Sequence, residues 1–379
     1  MRFLVFIGTV TAVLGLASFY LGARIITGWP WAGQHAGTVW LAFALFVALQ
    51  FLGPYLYRVY PNRLNRFFIV HWVTYTTLGI FGCLVLYSMA ADVLGLLWNL
   101  AFGPGLADRA GFLTMLAMVA VTTVVGFWQA VTAPKVYRVD VPIEGLPAAF
   151  DGFRIVQVSD VHLGPTLGVR FARRAARVAN ELHPDLLALT GDFVDGPVET
   201  LGPVIEPFGG IAARHGSLFV PGNHEYYWDV RGWIEEFRKL GARVLLNEHV
   251  VLSRGADQIV VAGVTDYSAG HMLPGHASDP GKALHGAPER AVKILLAHHP
   301  ESWRAAERAG FDLQLSGHTH GGQFFPFSLL VRLTHRYTKG LHRHGKLWIY
   351  VSRGTGYWGP PLRFGVPGEV TLICLRSAT

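Results

Sequence analysis

Apolar residues along this chain follow two regimes. Up to about residue 134 they run on almost without interruption; beyond it they come in short bursts separated by polar, Gly- and Pro-containing segments. Four long runs, at about 3–26, 38–57, 67–91 and 112–133, reach the roughly 20 residues a helix needs to cross the hydrocarbon of a bilayer. The third continues in apolar residues from 93 to 102 beyond Asp92, so a longer or tilted helix is expected there. Trp29, Trp31, Trp40, Tyr55, Tyr57, Tyr60, Trp98 and Trp128 fall mostly near the run ends, as an aromatic belt requires. The first run lacks a small-x-small cleavage site leading into a soluble stretch, so a retained span is expected rather than a signal peptide. His71 is the one ionisable residue clearly inside an apolar run and reads as a neutral, hydrogen-bonded bundle histidine.

The second regime predicts strands alternating with helices. Strands are expected at 153–159, 186–190, 217–220, 243–246, 249–252, 258–261, 292–297, 312–315, 347–351 and 370–375. Helical spacing marks 169–182, 230–240 and 302–309. Strands interleaved with helices and followed by a strand-rich end predict an α/β fold of two packed sheets flanked by helices. The expected organisation is a transmembrane region at 1–134, a linker at 135–150 around Pro142, and a catalytic domain at 151–379. The Gly-, Pro- and His-containing stretch between Tyr267 and Arg290 reads as a lid or substrate loop.

Composition changes this picture in three ways. The mean hydropathy of +0.34 comes from the first 134 residues. Only two cysteines, Cys83 and Cys374, are present, so neither a disulfide framework nor a thiolate metal site is implied. The net charge of +7 suits anionic surroundings: nucleic acid, anionic lipid or a phosphorylated substrate. The basic face Arg170, Arg173, Arg174 and Arg177 reads equally as solvated or as set against headgroups. Arg2, Arg58, Arg63, Arg66, Lys135 and Arg138 outweigh Arg24 and Arg109, which lie beside Asp92 and Asp108, and this bias puts both termini and the soluble half in the cytoplasm.

Candidate chemistry concentrates where the short apolar runs end. Asp160-Val161-His162, Gly191-Asp192-Phe193-Val194-Asp195, Gly222-Asn223-His224-Glu225, His298-His299-Pro300 and Gly317-His318-Thr319-His320-Gly321-Gly322 each follow such a run. Ends of several strands meeting at one sheet edge form a polar site where open α/β sheets bind ligands. A carboxylate in the middle of a domain is costly unless paired or bound to a metal. Asp160, Asp192, Asn223, His298, His318 and His320 together offer mixed O and N donors, with Asp192 best placed to be shared by two ions. Imidazole with carboxylate favours manganese, zinc, iron or cobalt over calcium or magnesium.

These five blocks resemble the calcineurin-like metallophosphoesterase superfamily over about residues 150–375, in the family's order. Residues 153–160, Gly321-Gly322-Gln323-Phe324 and Ser352-Arg353-Gly354-Thr355-Gly356 are similar to its bacterial membrane-associated branch, the UDP-2,3-diacylglucosamine hydrolase-like enzymes. The resemblance implies a four-layer αββα sandwich and two divalent ions, manganese first among the candidates. One ion would be held by Asp160, His162, Asp192 and His320, the other by Asp192, Asn223, His298 and His318. The family's His-x-Pro spacing favours His298 over His299. His224 matches the catalytic histidine and Asp195 the carboxylate that orients it. Two such ions activate water for in-line attack on phosphorus, while His224 protonates the leaving oxygen or stabilises the transition state.

Arg353 and Arg363 are candidates for holding a second phosphate. Tyr226, Tyr227 and Trp228 either line a substrate pocket or pack a helix. His271, His276, His285, His335, His342 and His344 read as solvated loop residues. The function expected is cleavage of a phosphodiester or pyrophosphate bond in a lipid-linked substrate by an enzyme integral to a bacterial inner membrane, with no nucleic-acid partner. The alternatives are action on soluble nucleotides or phosphoproteins, a non-catalytic metal-binding sensor, or a transporter, against which the spans' lack of a polar pathway argues.

Overall fold

The computed structural model describes residues 2–103 and 108–378. The side chains of Arg2, Arg63, Asp108 and Arg109, which entered the orientation argument, lie outside the described residues. The chain divides into two compact units, residues 1–127 with 359–362, and residues 128–358 with 363–379.

In the first unit the long apolar runs form helices Arg2–Gly28, Ala36–Val59, Phe68–Phe102 and Asp108–Val131. All four are long and apolar enough to cross a membrane. The third extends without a break through Asp92, as its apolar continuation predicted. Asp92 pairs with Arg24 and accepts a hydrogen bond from Tyr20, both on the first helix, so the charges are neutralised locally. Polar side chains inside the bundle find partners across helices: Gln50 Nε2 donates to Thr77 Oγ1 at 3.2 Å, and Tyr87 and Thr122 share a hydrogen bond of 2.7 Å. His71 is buried against the Tyr57 ring, but its Nδ1 has no hydrogen-bond partner among the described residues, so ring packing and not the expected hydrogen bonding holds it there.

Among the described residues the second unit contains twelve strands. They are β1 (Lys135–Ile143), β2 (Arg154–Val158), β3 (Leu186–Leu189), β4 (Ser217–Phe219), β5 (Ala242–Val244) and β6 (Glu248–Arg254). Then follow β7 (Asp257–Gly263), β8 (Val292–Leu296), β9 (Leu313–Ser316), β10 (Gly340–His344), β11 (Leu347–Val351) and β12 (Glu369–Ser377). They form two six-stranded sheets, ordered β1-β12-β2-β3-β4-β5 and β10-β11-β9-β8-β7-β6. Period-two alternation assigns each strand's residues to a face. Ile155, Leu186, Ala188, Leu218 and Val220 of the first sheet and Ile259, Val261, Ile294, Leu296, Leu313 and Leu315 of the second form one buried core between the sheets. The intervening residues Ala262, Leu295, Ala297, Ile349 and Val351 pack outward against Trp303 and Ala306 of helix Trp303–Ala309. On the outside of the first sheet, Phe219 stacks on Phe237 of helix Val230–Lys239 at 3.7 Å between ring centroids. The expected layering of helix, sheet, sheet and helix is the one observed.

Several elements differ from expectation. Residues 135–143 are not a linker: they form edge strand β1, parallel to β12, with Val141 and Ile143 buried. Pro142 lacks an N–H but is exposed on that edge strand, where proline is tolerated. Helix Val198–Gly209 carries Pro203 and Pro207 in its interior, a pattern that argues against a helix in most sequences. The stretch expected as a lid is pinned down, since Asn247 donates to the Ala277 carbonyl at 2.9 Å and accepts from the Asp279 N–H at 2.9 Å.

Strands β2, β3 and β4 run parallel to one another, as do β8 and β9. The polar blocks follow these five strands, and parallel order brings neighbouring strand ends to the same edge.

Candidate metal centre

The loops after β2 and β3 are laced together by backbone hydrogen bonds. Asp160 N donates to Gly191 O at 2.9 Å, His162 N to Asp192 O at 3.1 Å and Asp195 N to Leu163 O at 2.8 Å. The segment 352–356 closes over them: Thr355 N donates to Ser159 O at 2.7 Å and Gly356 N to Asp160 O at 2.9 Å. Gly354 sits at φ +79°, and a Cβ there would lie 3.0 Å from both Asp160 Cβ and His320 Nδ1. Only glycine fits that closeness, which accounts for the Ser-Arg-Gly-Thr-Gly pattern.

Two clusters of donors result. Ligand atoms of Asp160, His162 and His320 lie within 4.8 Å of one another, and so do those of Asp192, His298 and His318. A third set, His162, Asp192 and His224, joins them. Asp192 Oδ2 is 3.0 Å from His298 Nε2 and 3.9 Å from His162 Nε2, so one carboxylate oxygen faces both clusters. Asn223 Oδ1 lies 3.0 Å from His318 Nδ1, and His318 N donates to Asp160 Oδ1 at 2.8 Å. All seven residues expected as ligands therefore converge.

The donor set fits divalent cations. The buried Asp160 Oδ2 has no hydrogen-bond partner, and two imidazole nitrogens, His162 Nε2 and His320 Nε2, face each other at 2.9 Å. Asp160 Oδ1, 3.5 Å from His320 Nε2, is the carboxylate oxygen that faces this pair, and a cation held by these donors would separate the two imidazoles. Tautomers are set from behind, as metal ligands require. His298 Nδ1 is 2.8 Å from the Thr190 carbonyl, so its N–H donates there. His162 Nδ1 stands 3.1 Å from Asp195 Oδ2 in the same way. At His298 burial opposes a second proton on Nε2, but the Asp192 carboxylate prevails and raises the pKa well above the usual imidazole value, so a cation bound at Nε2 would displace that proton. Burial holds His318 and His320 well below the usual imidazole range, in the neutral form that can ligate. Burial also lifts the Asp160 carboxyl, whereas for Asp192 the neighbouring histidines, His298 first, outweigh burial and pull its pKa well down.

His224 stands beside the clusters. Its Nδ1 bonds to Asp195 Oδ1, and its Nε2 points inward, 3.9 Å from Asp192 Oδ2. Burial opposes its positive charge, but the carboxylates of Asp192 and Asp195 prevail and push its pKa up to about 9. Exposed Tyr227 and Trp358 stand at 5.1 and 5.7 Å from the His224 ring and form an aromatic rim.

Some site residues were not legible in the sequence. Glu225 is fully buried and accepts backbone N–H groups of Gly222, Asp192 and Phe193 at 2.7, 3.0 and 2.8 Å. It ties the β3 and β4 loops together; a capping-box reading of Gly-Asn-His-Glu would have found part of this. His299 does not face the carboxylates. It stacks on Tyr267 at 5.0 Å and packs tilted against His318 at 4.2 Å, and burial lowers its pKa to about 3, which leaves His298 as the inward donor. His335, expected as a solvated loop residue, packs 5.9 Å from the His318 ring.

The two candidate substrate arginines are corrected in position. Arg353 donates to the buried Glu369 carboxylate at 2.6 Å and lies over the Tyr137 ring. Arg363 is 1% exposed and bonds to the carbonyls of Arg353, Gly354, Gly356 and His320 and to His320 Nδ1. Both are committed to internal partners; Arg363 braces His320 rather than reaching outward.

Two stacked sheets carrying this Asp, Asn and His constellation at their strand ends define a class. The family model for calcineurin-like phosphoesterases matches residues 153–322, and the chain belongs to the calcineurin-like metallophosphoesterases. It is a phosphoester hydrolase of metal-dependent type with apolar N-terminal helices. Within that class it is similar to a Danio rerio protein described as a transmembrane protein with metallophosphoesterase domain, at 36% identity over 400 residues that cover 100% of this chain and 90% of the relative. A Bos taurus protein of the same description is 35% identical across 92% of this chain and 81% of its own length. A Helicobacter pylori metallophosphoesterase is 36% identical over 252 residues, 66% of each chain.

Proposed function

We propose that this protein is a membrane-anchored dinuclear phosphohydrolase that cleaves a phosphodiester or pyrophosphate bond in a lipid-linked substrate. Asp160, His162, Asp192 and His320 would hold one divalent ion, and Asp192, Asn223, His298 and His318 the other, with Asp192 shared. Manganese suits this donor set best, and zinc, iron or cobalt also fit. The observation that carries the reading is that the seven residues fall into adjoining donor clusters, with Asp192 Oδ2 3.0 Å from His298 and 3.9 Å from His162.

Bound there, two cations supply an activated water and charge neutralisation for in-line attack on phosphorus. The chain's own groups do the rest. Asp195 accepts the Nδ1 proton of His224 and so presents Nε2 to the reacting centre. His224, charged at neutral pH, stabilises negative charge there and donates its proton to the departing oxygen. Arg363 holds His320 in register, and Glu225 keeps Asp192 and Asn223 on adjoining loops.

Residues 1–134 would serve as the membrane anchor and 151–379 would carry the chemistry, on the cytoplasmic side indicated by Arg58, Arg66, Lys135 and Arg138. A lipid-linked target, such as a diacylated nucleotide sugar or a glycerophosphodiester, is supported by the joining of this site to four apolar helices. The test is hydrolysis by the purified full chain with manganese. A detergent-dispersed lipid phosphodiester or pyrophosphate should be cleaved with a far higher kcat/KM than its deacylated analogue. Equal rates on both would point to soluble substrates, and cleavage of neither, nor of a nitrophenyl phosphodiester, would point to a binding role.

A further inference from the structure

Helix Phe327–Thr334 is built the wrong way round for a soluble protein. Ser328 is buried, whereas Phe327, Leu329, Leu330 and Leu333 are exposed, Leu333 by 82%. At 100° per residue, positions 327, 330 and 333 with 329 form one continuous outward face, and Ser328, Val331 and His335 turn inward. A soluble protein rarely leaves so concentrated an apolar surface to water.

The helix is fastened to the site at both ends. Ser328 packs directly on Gly322, the last residue of the His318–Gly322 block, and its N–H bonds to the Phe324 carbonyl at 2.8 Å. At the other end His335 packs 5.9 Å from His318 and 5.7 Å from His299. Exposed Arg332 lies beside the apolar face, Arg336 beyond the helix covers the Trp303 and Tyr337 rings, and half-buried Lys339 follows.

We propose that residues 327–334 form an interfacial helix that inserts its apolar face into the anionic leaflet of the membrane in which the chain is anchored, bringing lipid headgroup phosphates to the mouth of the metal centre. Two features point to this occupant: the four helices long enough to cross a membrane keep a bilayer at hand, and a leucine-rich face with Arg332 beside it is complementary to acyl chains beneath anionic headgroups. The proposal deepens the lipid-substrate reading and rests on it for its role in catalysis, though not for insertion itself.

The test uses the full chain in nanodiscs containing phosphatidylglycerol, with an environment-sensitive fluorophore at Leu333→Cys or, as a control, at Arg231→Cys. Insertion predicts that lipids doxyl-labelled near the headgroup quench the Leu333 probe and that aqueous iodide does not, with the reverse for the control. Quenching of the Leu333 probe by iodide alone would overturn the proposal. So would protection from both quenchers together with energy transfer between labelled copies, which would put a second copy on this face. The unlabelled variant Leu333→Asp should raise KM for a nanodisc-borne phosphodiester on the order of tenfold, the equivalent of keeping one leucine in water, with kcat maintained. Equal KM values would overturn the catalytic role. If no lipid phosphodiester is cleaved at all, the lipid-substrate reading fails while the quenching still decides insertion.

Discussion

Five of the seven proposed ligands, Asp160, His162, Asp192, His318 and His320, have φ between 51° and 71°. Each such residue costs on the order of 1–3 kcal/mol and persists only where surrounding structure over-determines it. The strain aims successive side chains from one tight loop at one centre. Asp192 is the residue on which the arrangement turns, because its Oδ2 faces both clusters and its Oδ1 accepts the His224 N–H at 2.9 Å. Asp192→Asn should therefore reduce metal content from two equivalents and abolish turnover, as read by elemental analysis beside an activity assay; two retained ions with full rate would refute the shared-ligand assignment. His224→Ala makes the opposite pattern: metal content stays normal while kcat falls by about 10²–10⁴. If His224 acts as proton donor, the loss should shrink for nitrophenolate, a leaving group that needs no proton. A uniform loss across leaving groups would assign it to charge stabilisation alone.

Short elements, rather than long ones, hold the ligands in place. The six-residue helix Asn223–Trp228 begins at Gly222, where a Cβ would stand 2.8 Å from the Asp192 nitrogen. Its Glu225 collects three backbone donors from two loops, so Glu225→Ala strands buried N–H groups. That change should cost several kcal/mol, at about 1–3 kcal/mol per unmet group, read as a lowered denaturation midpoint. Arg363 does the equivalent work for the segment 352–356. Arg363→Met fills the volume but removes the donors to four carbonyls and to His320 Nδ1, and should lower affinity for one metal equivalent by about 10–100-fold, the usual cost of losing a partner behind a ligand. Unchanged titration of both equivalents would leave Arg363 with a packing role only.

At the scale of the molecule, binding to a site assembled from both sheets is linked to folding. Chelation should lower the thermal midpoint of the catalytic unit, and added manganese should restore it in a concentration-dependent way, following RT ln(1 + [L]/Kd). An unchanged midpoint would mean that the site is not a contributor to stability. How much of this was legible in the chain depends on how local each signal is. Strands β2, β3, β8 and β9 are short apolar bursts that end in polar blocks, and four membrane-length runs are unmistakable. Strand β1 reads as linker because Pro142 marks a turn in most contexts, and only its place at a sheet edge permits it. Helix Phe327–Thr334 was missed because its outward face is apolar, contrary to the usual rule for a soluble domain.

The order, spacing and chemical type of the proposed metal donors are readable from residues alone, because a burst of β-branched and aliphatic side chains ending in Asp, Asn or His is a local pattern. The tertiary structure decided what depends on distant neighbours. His298 turns inward because Thr190 takes its Nδ1 proton, and His299 turns away to stack on Tyr267. Arg353 and Arg363 are drawn inward by Glu369 and by loop carbonyls, partners that no spacing along the chain foretells. Side-chain orientation, tautomer and burial are set by contacts between segments far apart in sequence, and those exist only once the two sheets have closed on each other.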